Sequence, residues 1–362
     1  MRRGKVEDNL SIMFGFEYVG NLHIHTTRSD GDCTASEITQ SAHHVGLDFT
    51  IVTDHDFMAE ELPVHEEGYD GDVLSLVGLE IGRRYHHYLA FDLKDMIRGD
   101  GMGPQMVIDQ VNGQGGFGFL AHPFEKGMPF HEKSKAYTWN DLSVQGYRGI
   151  SIWNFSSRWK ERVKTPFHGL FFLAFKSKAL KGPSRRTLGF WDEQCQSRRV
   201  VAIGASDAHG RVYKWGPLRL RPFSYDFLLW TINIHVLLNR RLPKDFPAAK
   251  TAVYEAIREG RLFIAHDGLC PARGFRFDFM SKEGYDLYMG EEGAYQDGEF
   301  VVELPQPGEI RMVKDGRVEK TWFGMEAVYR VREKGVYRVE AYRRSILFGL
   351  RPWIFSNPIY LR

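Results

Sequence analysis

The chain has 362 residues, 43% hydrophobic and 26% charged, with a formal net charge of +2. That length exceeds one compact domain and predicts a large domain with a smaller companion, each with its own core. The near-neutral balance gives no electrostatic case for broad nucleic-acid binding, and three scattered cysteines (Cys33, Cys195, Cys270) exclude a disulfide framework, which fits a reducing compartment.

The opening stretch MRRGKVEDNLSIMFGFEYVG starts basic but holds no continuous apolar segment, so no secretory signal is expected. Seven short apolar runs follow in order: YVGNLHIH, FTIVTDH, LSLVGLEI, HYLAFDL, GFGFLAHP, GISIWN and VVAIGASDAH. Helical segments separate several of them. In CTASEITQSAHHVGLD, Thr34 and Glu37 have capping-box spacing, Ile38, Ala42 and Val45 form an apolar stripe, and Gly46 suits a C-terminal cap. GPQMVIDQVNGQGG places Pro104 at a helix entry and ends in glycines. Buried strands alternating with amphipathic helices predict a parallel sheet covered on both faces. Five of the seven runs carry a candidate His, Asp or Glu near the C-terminal end, as in barrels whose chemistry sits at the C-terminal rim; HYLAFDL instead has its candidate, His87, at its start, and GISIWN has none. Segments 124–148 and 155–199 read as rim insertions. The apolar stretches GLFFLAF and FLLWTINIHVLL are too short or too polar to span a bilayer; they read as core helix segments, with no membrane partner and a cytoplasmic location expected. Beyond residue 270 a period of two, as in FRFDFM and GVYRVEAYR, predicts antiparallel strands. The expected division is therefore a barrel over 1–245, a helical linker over 246–269 and a β-sandwich over 270–362.

His23 and His25 stand two apart on a strand end, so both rings face one side, and Asp30 can swing in from the turn. To these the chain adds His55, Glu80, His87, His122, Asp207 and His209. A single histidine such as His122 reads most simply as a hydrogen-bonded core or surface residue. Six histidines and three acids at matching strand ends do not. Glu80 within an apolar run needs a partner for its charge, which a metal supplies. Mixed imidazole and carboxylate donors suit Zn, Mn or Fe, and nine exceed what one ion takes, so two or three divalent ions are expected. Asp54 and Asp56 flank His55 as candidates for orienting it.

HIHTTRSDG, TDHD, GLEI, AHP and GASDAHG, over residues 20–210, resemble the ordered motifs of the polymerase-and-histidinol-phosphatase (PHP) family. The resemblance implies a distorted (β/α)7 barrel with two or three metals at its rim. It implies His23, His25, Glu80 and Asp207 around one ion, Glu80 bridging to a second with His87 and His122, and Asp30, His55 and His209 around a third. His86 is the rival of His87, which directly precedes YLAF. The tail segments GVYRVEAYRR and RPWIFSNPIYL are similar to the ending of that family's carbaryl-hydrolase-like branch.

The expected activity is phosphoester hydrolysis of a nucleotide or small phosphorylated metabolite, with Glu80 and Asp207 at the reacting centre. Arg28 is the expected phosphate clamp, ahead of Arg84 and Arg158. Two rivals share the metals: carbamate or amide hydrolysis, and 5′–3′ exonucleolytic trimming. NFSSRWKERVKTPFH mixes aromatic and basic residues as a nucleic-acid surface does, although a solvated helix face with core aromatics explains it more simply. A non-enzymatic binding module would have lost ligands, and none of the nine is missing. Oligomeric state is not legible.

Overall fold

The structure, a computed structural model, describes residues 14–129, 135–176, 180–215 and 218–362. Most of the basic N-terminal stretch and parts of both expected insertions lie outside the described residues. The fold is mixed α/β.

Local signals set the frame. The helix Ala35–Val45 begins at Thr34, whose side chain accepts from the Glu37 amide while Glu37 reaches back to the cap; it ends at Gly46 with φ 79°. That left-handed angle is open to glycine without steric cost. The helix Pro104–Gly113 starts with proline in its first turn. The apolar runs become β1 (Phe16–Ile24), β2 (Phe49–Val52), β3 (Val73–Val77) continuing past Gly78 as β4 (Leu79–Ile81), β5 (Tyr88–Phe91), β6 (Phe117–Leu120), β7 (Gly149–Asn154) and β8 (Val201–Ala205).

These strands make one circuit. β1–β2 and β2–β3 pair in parallel. β4–β5 and β5–β6 are antiparallel, and β6–β7 and β7–β8 are parallel again. Isolated bridges between His55 and Glu80, and between Ile24 and Ala208, join the two arcs. β5 thus runs against its neighbours, so its start lies at the rim where the others end. This is why His87 precedes its strand, while His23 and Glu80 lie in the end of theirs and the other candidates follow theirs.

FLLWTINIHVLL, expected as one helix segment, divides into the helix Tyr225–Leu229 and the strand β9 (Ile232–Leu238). Residues 246–269, expected as a helical linker, hold the helix Phe246–Glu259 and then the strand β10 (Leu262–His266). β9 pairs with β1, β10 with β9, and Gly349–Ser356 with β10. The C-terminal strands therefore continue the sheet that holds β1, β2 and β3, where a self-contained sandwich was expected. Alternation explains the continuity. Ile232, Ile234, Val236 and Ile264 enter the core shared with β1, β2 and β3, while Leu237, Phe263 and Ala265 enter a second core with Phe275, Phe277, Phe279 and Phe300. Two adjacent strands buried on both faces serve two cores, which leaves no free boundary between them.

Candidate metal centre

Backbone hydrogen bonds tie the motif loops together at the rim. The His25 amide donates to the Ala208 carbonyl (2.9 Å), the Ala208 amide to His23 (3.1 Å), and the Asp56 amide to Glu80 (3.1 Å). His23, His122 and Asp207 have φ of 66°, 28° and 54°. Non-glycine residues in that region are strained, and such strain concentrates at functional sites.

All nine sequence-derived candidates converge. The Glu80 carboxylate is central: Oε2 lies 3.1 Å from His23 Nε2, 3.2 Å from His25 Nε2 and 3.3 Å from His55 Nδ1. Its Oε1 lies 2.7 Å from His87 Nδ1 and 3.4 Å from His122 Nε2. Asp207 Oδ1 stands 3.4 Å from His23 and 3.5 Å from His25. Asp30 Oδ1 stands 3.1 Å from His209 Nε2, 3.7 Å from His25 Nδ1 and 3.8 Å from His55 Nε2. Four groups have donor atoms mutually within 4.8 Å: His25/Asp30/His55/His209, His23/His25/Asp207, His23/Glu80/His122 and His55/Glu80/His87. The allotment departs from the expected one at His25, which also joins Asp30, at His23 and His55, which each stand in two groups, and at His87 and His122, which fall in separate groups. The His25 and His55 rings each present their two nitrogens to different carboxylates.

The donor set fits divalent ions. Both ring nitrogens of His23 and of His25, with His55 Nδ1 and His87 Nε2, are buried and make no hydrogen bond. Leaving such atoms orphaned is costly. Two ligand atoms about 2.0–2.1 Å from one tetrahedral ion stand about 3.3 Å apart, which matches most of these contacts. Backbone carbonyls orient two rings: His122 Nδ1 pairs with the Tyr137 carbonyl (2.9 Å) and His209 Nδ1 with that of Asp207 (3.0 Å), turning each Nε2 to a carboxylate. Electrostatics agree. Burial alone would raise the pKa of Glu80 and Asp207, but the surrounding imidazoles hold both carboxyls well below their ordinary range. Burial lowers His55 to about 3, whereas His25 rises to about 10 because Asp207 and Glu80 outweigh its burial.

The cluster floors a cleft of about 160 Å³. The arginines expected there are elsewhere. Arg28 is drawn to Glu66 (2.5 Å) and Glu61 (3.5 Å), Arg84 lies over the Tyr85 ring, and Arg158 bonds the Gly182 carbonyl and Glu161. The cleft's cations are instead Lys135, Lys160 and Arg211. Burial opposes the charge on Lys160, but Glu125 and Asp207 outweigh it and hold its pKa above the ordinary value. Arg211 pairs with Asp30. Lys160 was visible within NFSSRWKERVK, whose Phe155 and Trp159 also line the cleft. Glu125, buried and bonded by Ser157, had no strand signal to mark it. Tyr225 was unforeseen as well. Its hydroxyl lies 2.6 Å from the His25 carbonyl and 2.9 Å from that of His209, bridging two motif loops. His86 stays outside the cluster against Trp139. Asp54 braces the turn before Asp30 by accepting from Thr26 and Ser29, and Asp56 accepts from the Gly82 and Gly99 amides, so neither orients His55.

No protein-family model and no curated protein matches the chain. Among solved structures it is similar to a two-domain protein from Bacteroides vulgatus containing a predicted PHP-like metal-dependent phosphoesterase, at 14% identity over 94% of this chain and 95% of that one, with a TM-score of 0.47. A Bifidobacterium adolescentis protein assigned as a metal-dependent phosphoesterase shows 14% identity over 55% of this chain and 91% of that one (TM-score 0.29). An amidohydrolase from Chromobacterium violaceum, with bound sulfate and no metal, shows 15% identity over 56% and 98% (TM-score 0.27). Likenesses of that strength assign no chemistry, and the functional reading rests on the side chains.

Proposed function

We propose that the chain is a metal-dependent hydrolase, and specifically a phosphoesterase of the PHP kind on a distorted (β/α)7 barrel, with a tail like that of the carbaryl-hydrolase-like branch. The observation that carries this reading is the convergence of nine donors, seven of them buried, with orphaned ring nitrogens at ligand spacing, beneath a cleft that also holds cations. His23, His25, Asp30, His55, Glu80, His87, His122, Asp207 and His209 would hold two or three ions of Zn, Mn or Fe. Such ions supply Lewis acidity toward water and toward a phosphoryl group.

The chain's own residues do the rest. Lys160 and Arg211 bring fixed positive charge to an anionic substrate, which favours a phosphate ester over a neutral carbamate or amide. Phe155, Trp159, Phe223 and Leu228 form an apolar wall suited to the uncharged part of the ester and to excluding water. Glu125 and Asp207 keep Lys160 protonated, so that its ammonium is ready before substrate arrives. The substrate class is a nucleotide or small phosphorylated metabolite, and the three free cysteines suit a cytoplasmic setting.

The test is hydrolysis by protein loaded with Mn or Zn. p-Nitrophenyl phosphate or its diester is expected to be cleaved, and His25→Ala to abolish cleavage with the fold retained. Aryl carbamate turnover without phosphate ester turnover would transfer the site to carbon chemistry. Preference for single-stranded ends, lost as salt rises, would mark a nuclease. Full activity in His25→Ala would remove the metal mechanism.

A further inference from the structure

GLFFLAF, expected in the core, lies mostly on the surface. The helix Pro166–Ala174 buries Phe172 against Val163 and Trp159, but Phe167 and Leu170 on its outer side are 82% and 67% exposed. Beside it stands the turn after Gly335–Ser345, where Ile346 and Leu347 are 103% and 75% exposed. The Phe348 ring packs 5.3 Å from Phe175 and 6.4 Å from Phe171, so the two segments form one projection. Large apolar side chains concentrated this way on a surface mark an interaction site.

The rim of the projection is cationic. The Arg162 guanidinium lies 5.1 Å from the Phe172 ring centre and that of Arg351 lies 5.4 Å from Phe348, with Lys164 and Arg344 exposed nearby in sequence. None of these four forms an ion pair among the described residues. Residues 155–176 contain one acid, Glu161, which Arg158 already pairs, and residues 341–351 contain none. In a chain of net charge +2 this is a segregated face.

We propose that this face docks on an anionic lipid bilayer, with Phe167, Leu170, Ile346 and Leu347 at the headgroup–acyl boundary and the four cations on lipid phosphates. Apolar tips with a basic rim are the pattern of proteins that lie on membranes without crossing them. No helix among the described residues is long and apolar enough to cross one, which bears on spanning and not on docking. A second copy seated on the same face would oppose like charges. Met128 and Trp159 pack beneath the helix and also line the cleft, so docking brings the cleft mouth to the bilayer. Resting on the phosphoesterase reading, the substrate class is then a phosphate ester carried on or near a lipid headgroup.

The test is flotation of the full chain with vesicles of phosphatidylcholine alone or mixed with phosphatidylglycerol. We expect flotation with the anionic vesicles only, weakened by salt. Phe167→Ser with Leu347→Ser abolishes it, and Lys164→Glu with Arg344→Glu lowers partitioning at least about tenfold. Equal behaviour on both vesicle types, or variants that float like wild type, overturns the proposal. So does a dimer, seen by light scattering, that the serine variant dissociates. Hydrolysis of p-nitrophenyl phosphate stays unchanged in both variants. Intact flotation in a protein that cleaves no phosphate ester would sink the catalytic reading and leave the docking surface standing.

Discussion

Replacing Glu80 by glutamine tests the centre most directly, because one carboxylate serves five imidazoles and stands in two donor groups. The amide has the same shape and keeps one acceptor oxygen, so the perturbation is chiefly the loss of charge. Outer partners of metal ligands are worth about 10–100-fold in affinity, and a direct ligand is worth at least that. With metal at about 100 times its dissociation constant, wild type gains about 2.7 kcal/mol per ion; a hundredfold weaker site retains about 0.4 kcal/mol. The variant therefore forfeits about 2 kcal/mol for each ion that Glu80 helps to hold. At about 2 °C per kcal/mol this is a loss of about 4–5 °C in the metal-induced shift of Tm per ion. The assay is calorimetric melting with and without Mn or Zn, beside elemental analysis of bound metal and a far-UV spectrum of the metal-free variant. A metal-induced shift and ion stoichiometry equal to wild type would refute the reasoning, whatever the activity.

Lys160→Met is expected to lower kcat/KM on a phosphate ester about a hundredfold, as loss of a positioned charge donor does; Arg28→Ala, at a partly exposed pair with Glu66, stays within a few-fold. Equal effects of the two changes would reverse the assignment of the cleft's cation. Tyr225→Phe removes the hydroxyl between the His25 and His209 carbonyls and should cost about 1–3 kcal/mol in urea unfolding, with weaker metal binding; an unchanged midpoint would deny the bridge its role. His235 is buried between Glu17 (2.7 Å) and Asp267 (3.0 Å), with Phe263 stacked on its ring. Burial pushes its pKa down, but Asp267 and Glu17 outweigh burial and raise it to about 9, above the ordinary 6.5. Its stabilising contribution is then complete below about pH 6.5 and fades as pH rises through about 9. Urea midpoints across that window should fall in wild type by more than in His235→Gln, and parallel curves would exclude the mechanism.

Much of the site was readable before any coordinates. Ligand types are scarce, and their placement beside apolar runs is a local pattern, so His23, His25, Asp30, His55, Glu80, His87, His122, Asp207 and His209 could be gathered from the chain alone. The expected clamp was not readable in the same way. Arg28 sits in the first motif, yet Glu66 and Glu61, more than thirty positions away in sequence, hold it outside the cleft. Lys160 and Glu125 lie in insertions without strand periodicity, and neither residue type is rare enough to stand out.

Residue chemistry and period, both local properties, marked the nine donor side chains that converge, which seven runs become strands and where the helix Ala35–Val45 starts and stops. Direction and neighbourhood are long-range properties, and only packing decided them. It ran β5 against its neighbours and so brought His87 to the common rim. It let β9 and β10 serve two cores, joining the C-terminal strands to the sheet of β1, β2 and β3. It turned GLFFLAF outward, leaving Phe172 alone of its large side chains fully buried.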